Sequence, residues 1–292
     1  MTLNLIDLNL IDLNLIDHGG EGEPLVFIHG FLGSGQDWFT TERQNYKASV
    51  LARYRCLTVD LPGHGDSRHE VTAGEEFVIT LNDIARQLHE TLRNHGLERV
   101  SLLGYSLGGR VAMAFTDLFP ERVDTLFLEG AHPGLQSEPE RQQRKLSDAA
   151  WSDRFLHEPL ESVLMDWYRQ PVFSSLDDES RRQLVKERAR NNDGRILAAI
   201  LTGCSLSQQS DYRRLLRQRY DEEGCNKEGC EEEGCEKKSV VVYFVGEYDK
   251  KFRLLADSLA RSGMVRAIIV ADAGHNAHRD NPAGFIEALL SL

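Results

Sequence analysis

Short apolar runs recur along the chain, each closed by glycine or by turn residues. Leu25-Val26-Phe27-Ile28 stops at His29-Gly30, Cys56-Leu57-Thr58-Val59 at Asp60 and Pro62-Gly63-His64-Gly65, and Val100-Ser101-Leu102-Leu103 at Gly104. Thr125-Leu126-Phe127-Leu128 ends at Glu129-Gly130, and two further runs cover Val240 to Val245 and Ala267 to Val270. Apolar runs of this length without polar alternation read as strands buried on both faces. Between them the period changes. Leu81 to His95 places Ile84, Leu88, Leu92 and His95 at three- or four-residue steps, which predicts an amphipathic helix. Leu107 to Phe119 and Pro282 to Leu290 read as two more helices. Strands alternating with helices predict an α/β fold, a mostly parallel central sheet flanked by helices on both faces.

Residues 133–220 break this alternation. The helical stretches Glu140 to Phe155, Pro159 to Tyr168, Glu179 to Asn191 and Arg195 to Thr202 follow one another with no strand-like run between them. We read this segment as a helical cap inserted into the sheet domain. The expected organisation is a core over 1–132, the cap over 133–220, a repetitive insertion over 221–238 and the second part of the core over 239–292.

Two segments fit neither period. Asn-Leu-Ile-Asp-Leu recurs every five residues near the N-terminus, and Glu-Gly-Cys recurs at 223–225, 228–230 and 233–235. A five-residue step matches neither a strand nor a helix, so both read as acquired insertions, although Leu13 to Ile16 has the composition to pair at a sheet edge. Cys225, Cys230 and Cys235 lack the paired spacing and the fourth ligand of a zinc site, which favours a solvated acidic loop over a metal centre. Cys56 and Cys204 read as small buried apolar groups.

At 292 residues, 41% hydrophobic and 27% charged, the chain can bury a large core and is not a disordered polymer. No run approaches a membrane span and no basic stretch precedes a signal-like core, so the expected location is the cytoplasm. The formal charge of -12 sits mostly in the two repeats: residues 1–23 carry five acids and no Lys or Arg, and residues 221–238 carry eight acids against three lysines. That balance argues against nucleic acid as a partner. The cap, with 15 Lys or Arg against 13 acids, is slightly basic, as suits a small anionic substrate. The expected assembly is a monomer or small homo-oligomer.

Chemistry concentrates at the strand ends. Gly104-Tyr105-Ser106-Leu107-Gly108 follows a strand and opens a helix, the setting in which G-x-S-x-G forms a nucleophile elbow around Ser106. A serine needs a base and an orienting acid. The candidates are His275, just past the Ala267 to Val270 run, and Asp249, just past Val240 to Val245. The order Ser, Asp, His fits an α/β-hydrolase arrangement. Backbone N–H groups of Phe31 and Leu107 are placed to receive a developing oxyanion. His29 reads either as a loop-holding residue or as part of the substrate site, and His64 as structural.

Longer stretches make the resemblance narrower. They are Phe27 to Gly35, Gly104 to Met113, His132-Pro133-Gly134-Leu135-Gln136, Asp166 to Phe173, Asn191-Asn192-Asp193-Gly194 and Gly274-His275-Asn276-Ala277-His278-Arg279. On these the chain resembles the α/β-hydrolase superfamily and, within it, the synthases of 2-succinyl-6-hydroxy-2,4-cyclohexadiene-1-carboxylate in the menaquinone or phylloquinone pathway. The resemblance implies a lyase that eliminates pyruvate from a tricarboxylate, with Ser106 as the base, made competent by His275 and Asp249. It also implies that Arg110, Arg144 and Arg188 hold substrate carboxylates, with Arg141 an alternative register for Arg144, and that Tyr105 and Trp167 wall the pocket. Trp167 reads equally as an anchor between cap and core, and Arg279 as a residue that orients the His275 loop.

No G-x-G-x-x-G phosphate loop, zinc triad or EF-hand is found, so no cofactor is expected. Two other functions share these features. A serine hydrolase acting on a small ester or a C–C bond would use the same triad without needing the arginines. A noncatalytic binding protein on this fold would be expected to have lost a triad member, and none is lost.

Overall fold

The computed structural model describes residues 12–39, 44–67, 78–221 and 241–292. Residues 1–11 of the N-terminal repeat and the whole Glu-Gly-Cys repeat lie outside the described residues. Among the described residues seven strands form one sheet: β1 (Leu15–Asp17), β2 (Glu23–Ile28), β3 (Tyr54–Val59), β4 (Val100–Tyr105), β5 (Val123–Glu129), β6 (Val241–Gly246) and β7 (Arg266–Val270). Their spatial order is β1-β3-β2-β4-β5-β6-β7, parallel throughout except that β1 runs antiparallel to β3. The six apolar runs correspond to β2 to β7. They lack alternation because the sheet is covered on both faces, and β4 and β6 are buried at every position.

The end of the N-terminal repeat is built into this frame. Leu15 to Asp17 pair with Val59 to Leu57, Leu13 is buried in the core, and its N–H bonds the Thr91 hydroxyl at 2.9 Å. An insertion composition thus supplies an edge strand where its Leu and Ile positions meet apolar neighbours.

The core helices are α1 (Gln44–Leu51), α2 (Leu81–Asn94) and α3 (Leu107–Leu118). α2 starts at a capping box in which Thr80 accepts from the Asp83 N–H and the Asp83 carboxylate returns a bond to Thr80. Its apolar stripe, Ile84, Leu88 and Leu92, joins Val111 and Phe115 of α3 in one cluster on one side of the sheet. The other side is covered by α11 (Pro282–Leu290), whose Phe285 and Leu289 pack with Phe27, Phe127 and Phe244.

The segment 133–220 divides in two. α4 (Glu138–His157), α5 (Leu160–Trp167), α6 (Asp178–Asn191) and α7 (Gly194–Gly203) share their own apolar centre, made by Phe155, Leu164, Leu184, Val185 and Leu197. Leu32 of the core enters that cluster, so cap and core are joined by packing. α8 (Arg213–Asp221) instead returns to the sheet: Leu216 is fully buried in the main core, and the Arg219 guanidinium donates to the carbonyls of Pro120 and Val123. α9 (Lys250–Arg261) and the short α10 (Ala277–Asp280) are the remaining α-helices among the described residues. Among the described residues no helix is long and apolar enough to cross a membrane.

Candidate active site

Ser106 sits between β4 and α3 with φ 51° and ψ −107°, a left-handed conformation that is costly for a residue bearing a Cβ. The surroundings fix it there. Its N–H donates to the Glu129 carbonyl at 2.8 Å, and α3 crosses so close to β2 that a Cβ on Gly108 would lie 2.2 Å from the Ile28 carbonyl oxygen. The strain turns the serine out of the strand end and into a cleft. Leu107 begins α3, and the first N–H groups of a helix have no intrahelical acceptor. Among the described residues neither the Leu107 nor the Phe31 N–H meets a protein acceptor, so both are available to an oxyanion.

The candidate base and acid arrive from β7 and β6. His275 Nδ1 lies 2.6 Å from Asp249 Oδ2, with both side chains almost fully buried. Donation of Nδ1–H to the carboxylate puts the lone pair of the neutral ring on Nε2. Asp249 is also the N-cap of α9, where its Oδ1 accepts from the Phe252 N–H at 3.2 Å. A helix start thus locks the carboxylate that orients the histidine.

One cleft, with an empty volume of about 680 Å³ that is partly open to solvent, brings together Ser106, His275, Phe31, Tyr105, Trp167 and Arg188. Trp167 lines the cleft, and its ring meets Phe31 at 5.2 Å and Trp151 at 5.1 Å, pinning the cap to the loop after β2. Tyr105 is buried, and its hydroxyl is held well above the ordinary phenol range, by burial first and then by the Glu129 charge.

Arg188 is the buried cation of the cleft. One of its terminal nitrogens bonds both oxygens of Asp37 at 2.8 Å, while its Nε has no partner. Burial works against the charge, but Asp37 outweighs it and the guanidinium is held above its usual range. The Asp37 carboxyl is correspondingly held low: burial raises it, and Arg188 more than compensates. Arg279 also lines the cleft.

The other two arginines are elsewhere. Arg110, one turn beyond Ser106, directs its guanidinium to the Cys204 carbonyl and to Gln209 Oε1, and burial lowers it to about 10. Arg144 holds Asp148 through Nε at 2.8 Å. Neither lines the Ser106 cleft. They belong to a second cationic group around His132, whose pKa falls to about 4, through burial and then through the charges of Lys251, Arg213, Arg110 and Arg144. Arg141 is held by three backbone carbonyls, of Leu135, Ser207 and Gln209, and acts as a brace of the cap.

His29 must be corrected as a substrate-binding candidate. Its Nε2 accepts from the Leu61 N–H at 2.9 Å and its Nδ1 donates to the Gly30 carbonyl at 2.7 Å, so both ring nitrogens are committed to the backbone and the residue is buried. Leu61 N–H requires an acceptor, which fixes the neutral tautomer. His64 repeats the pattern with Leu32 N–H and the Pro62 carbonyl. Together they hold the Phe31-Leu32 loop, where Leu32 has φ 72°.

These rings make stability depend on pH. Burial and then the neighbouring His29 push His64 down from 6.5 to about 3, and burial also lowers His29. A histidine kept neutral in the fold contributes stability that is present above its unfolded pKa and lost as pH falls through its folded pKa. The thermal midpoint is therefore expected to fall as pH drops from about 6.5 to about 5, above the main carboxylate range. His64→Asn should flatten that slope. Calorimetry giving the same midpoint across the window in the wild type would contradict the assignment.

Asp37, Glu129, Tyr168 and His278 were not singled out by the sequence. Glu129 and His278 form a buried pair at 2.7 Å behind Ser106. Among the described residues no group of three or more His, Cys, Asp or Glu stands close enough to hold a metal ion. Cys56 and Cys204 are free and buried, with thiols pushed up to about 12.

The alpha/beta hydrolase fold family matches residues 23–282. Among solved structures, MenH from S. aureus superposes with a TM-score of 0.77 over 97% of both chains at 24% identity. A thermophilic esterase from Thermogutta terrifontis reaches 0.68 over 96% of this chain and 92% of its own, at 20% identity. Both likenesses concern the fold. In sequence, the 2-succinyl-6-hydroxy-2,4-cyclohexadiene-1-carboxylate synthases of Escherichia fergusonii and Shigella dysenteriae serotype 1 are each 40% identical over 276 residues, 94% of this chain and 96% of theirs. At that identity over nearly the full length of both, the chain belongs to the 2-succinyl-6-hydroxy-2,4-cyclohexadiene-1-carboxylate synthase family of the α/β-hydrolase fold.

Proposed function

We propose that the chain is a carbon–oxygen lyase of menaquinone biosynthesis, working in the cytoplasm. It eliminates pyruvate from 2-succinyl-5-enolpyruvyl-6-hydroxy-3-cyclohexene-1-carboxylate to give 2-succinyl-6-hydroxy-2,4-cyclohexadiene-1-carboxylate. The observation that carries this reading is the 40% identity to synthases along 94% of the chain. The site supports it chemically.

In this reading Ser106 Oγ removes the acidic proton of the ring, and its own proton passes to His275 Nε2 while Asp249 stabilises the imidazolium. The electron pair left on carbon reorganises through the ring and breaks the C–O bond to the enolpyruvyl group, which leaves and takes up a proton to become pyruvate. Phe31 and Leu107 N–H groups stabilise the negative charge that develops as the C–H bond breaks. No acyl-enzyme forms. Arg188, with a buried N–H still unpaired, receives one substrate carboxylate in the cleft. Arg110 and Arg144 do not line this cleft, and they are assigned the other carboxylates where the substrate reaches the cationic group around His132, one turn past the serine.

The test is pyruvate release from this tricarboxylate by the purified chain, followed together with the absorbance of the conjugated diene. Both signals should rise in step. Burst acylation of Ser106 by an activated ester, with no pyruvate released, would move the assignment to a serine hydrolase.

A further inference from the structure

Glu129 ends β5, the strand between the one that delivers Ser106 and the one that delivers Asp249. It is a carboxylate with no exposed surface, and the proton transfer proposed above does not use it. Its contacts reach both halves of the catalytic pair. The main-chain carbonyl accepts the Ser106 N–H at 2.8 Å. The carboxylate accepts the backbone N–H of His278 at 3.1 Å and pairs with His278 Nδ1 at 2.7 Å. His278 lies three residues beyond His275, in α10, and its ring is clamped, stacked on Trp38 at 3.9 Å and edge-on to Tyr105 at 5.2 Å. The residue after Glu129 closes the gap: Gly130 has φ 56°, and a Cβ there would stand 2.9 Å from the His275 ring.

We infer that Glu129 is a positioning residue for the elimination, one side chain that sets the His275 loop at a fixed distance from the Ser106 elbow. The inference rests on the Ser106–His275 reading of this site. The reason is mechanical. Ser106 and His275 come from strands separated by β5 and β6, so their spacing depends on what spans the strand ends. Glu129 spans it with a carbonyl on one side and a carboxylate on the other. A buried carboxylate demands its partners, because a charge left unpaired away from water is strongly disfavoured. The loop is therefore held more firmly than by packing alone. Proton transfer is sensitive to such spacing, since a misplacement of about 1 Å costs about 10²-fold.

Glu129→Gln keeps the carbonyl and nearly the same volume but loses the charge that binds His278. It should lower kcat for pyruvate release between about 10- and 100-fold and leave KM within about threefold, because the substrate's own contacts are untouched. His278→Ala should lower kcat similarly. His278→Asn places an amide N–H where Nδ1–H was and should recover most of the loss, which general destabilisation would not do. The far-downfield proton NMR signal of His275 Nδ1–H on its bond to Asp249 gives a readout without substrate, and it should broaden or vanish in Glu129→Gln. Unchanged kcat in folded Glu129→Gln would overturn the inference. If that variant does not fold, equal kcat for His278→Ala and His278→Asn would do the same. Should the wild type release no pyruvate, the lyase reading fails by itself, and an unaltered His275 signal in the variant would still refute the positioning role.

Discussion

Ser106→Ala is expected to lower kcat for pyruvate release by roughly 10³- to 10⁴-fold while leaving the melting temperature near or above that of the wild type. The rate loss follows from removal of the group that takes the proton, a contribution of that order for a positioned general base. The stability expectation follows from the position: Ser106 holds φ 51° because of its neighbours, and its hydroxyl makes no contact on which the elbow depends. His275→Ala should fall to a similar rate. The double variant should be no slower than the worse of the two, since the residues act as one proton-transfer unit. Asp249 needs more care, because its Oδ1 caps α9 while Oδ2 orients His275. Asp249→Ala should lose rate and also about 1 kcal/mol of stability from the lost cap. Asp249→Asn keeps an oxygen for the cap and should separate the two effects. Initial rates with circular dichroism on the same samples decide the matter. Near wild-type turnover by folded Ser106→Ala would exclude the serine as the base.

What the sequence made legible was the chemistry that travels as a contiguous motif. The elbow at Ser106 needs glycine four positions apart, and the candidate acid and base follow directly on apolar runs, so local spacing was enough to propose them. The parallel sheet was legible for the same reason, because fully buried strands leave runs that no helix explains. Contacts between distant segments left no such trace. Asp37 and Arg188 are 151 positions apart, and neither position marks the other as its partner. Glu129 reads only as the polar residue that stops β5; its pairing with His278, 149 positions on, exists only once β7 has been laid down. The arginines show the same limit. Their type suited carboxylates, yet Arg110 and Arg188 lie in different cationic environments because α3 and α6 approach the site from different sides. The edge strand β1 was half legible: the five-residue step hides a Leu-Ile pair that works only in register with β3.

Arg188→Lys is expected to lower kcat/KM by about 10- to 100-fold, the loss of one charge-assisted bidentate contact. Lysine is the informative replacement. Alanine would strand the Asp37 carboxylate in a buried site, at several kcal/mol, and would confuse binding with folding. Lysine keeps a positive charge near Asp37 but cannot present the two parallel N–H groups that a carboxylate matches. In the free protein one terminal nitrogen is held by Asp37 and Nε is unpaired, so the guanidinium retains capacity for an anion without releasing its internal partner. Arg110→Lys and Arg144→Lys should weaken the reaction less. Their guanidiniums already bond Gln209 and Asp148, so a substrate carboxylate has to share them. If an arginine only binds, KM rises alone; if kcat falls as well, the same contact also fixes the proton in front of Ser106. Steady-state kinetics of the three variants on the tricarboxylate distinguish these cases. Wild-type kcat/KM in all three would remove the arginines from substrate recognition and leave them as braces between cap and core.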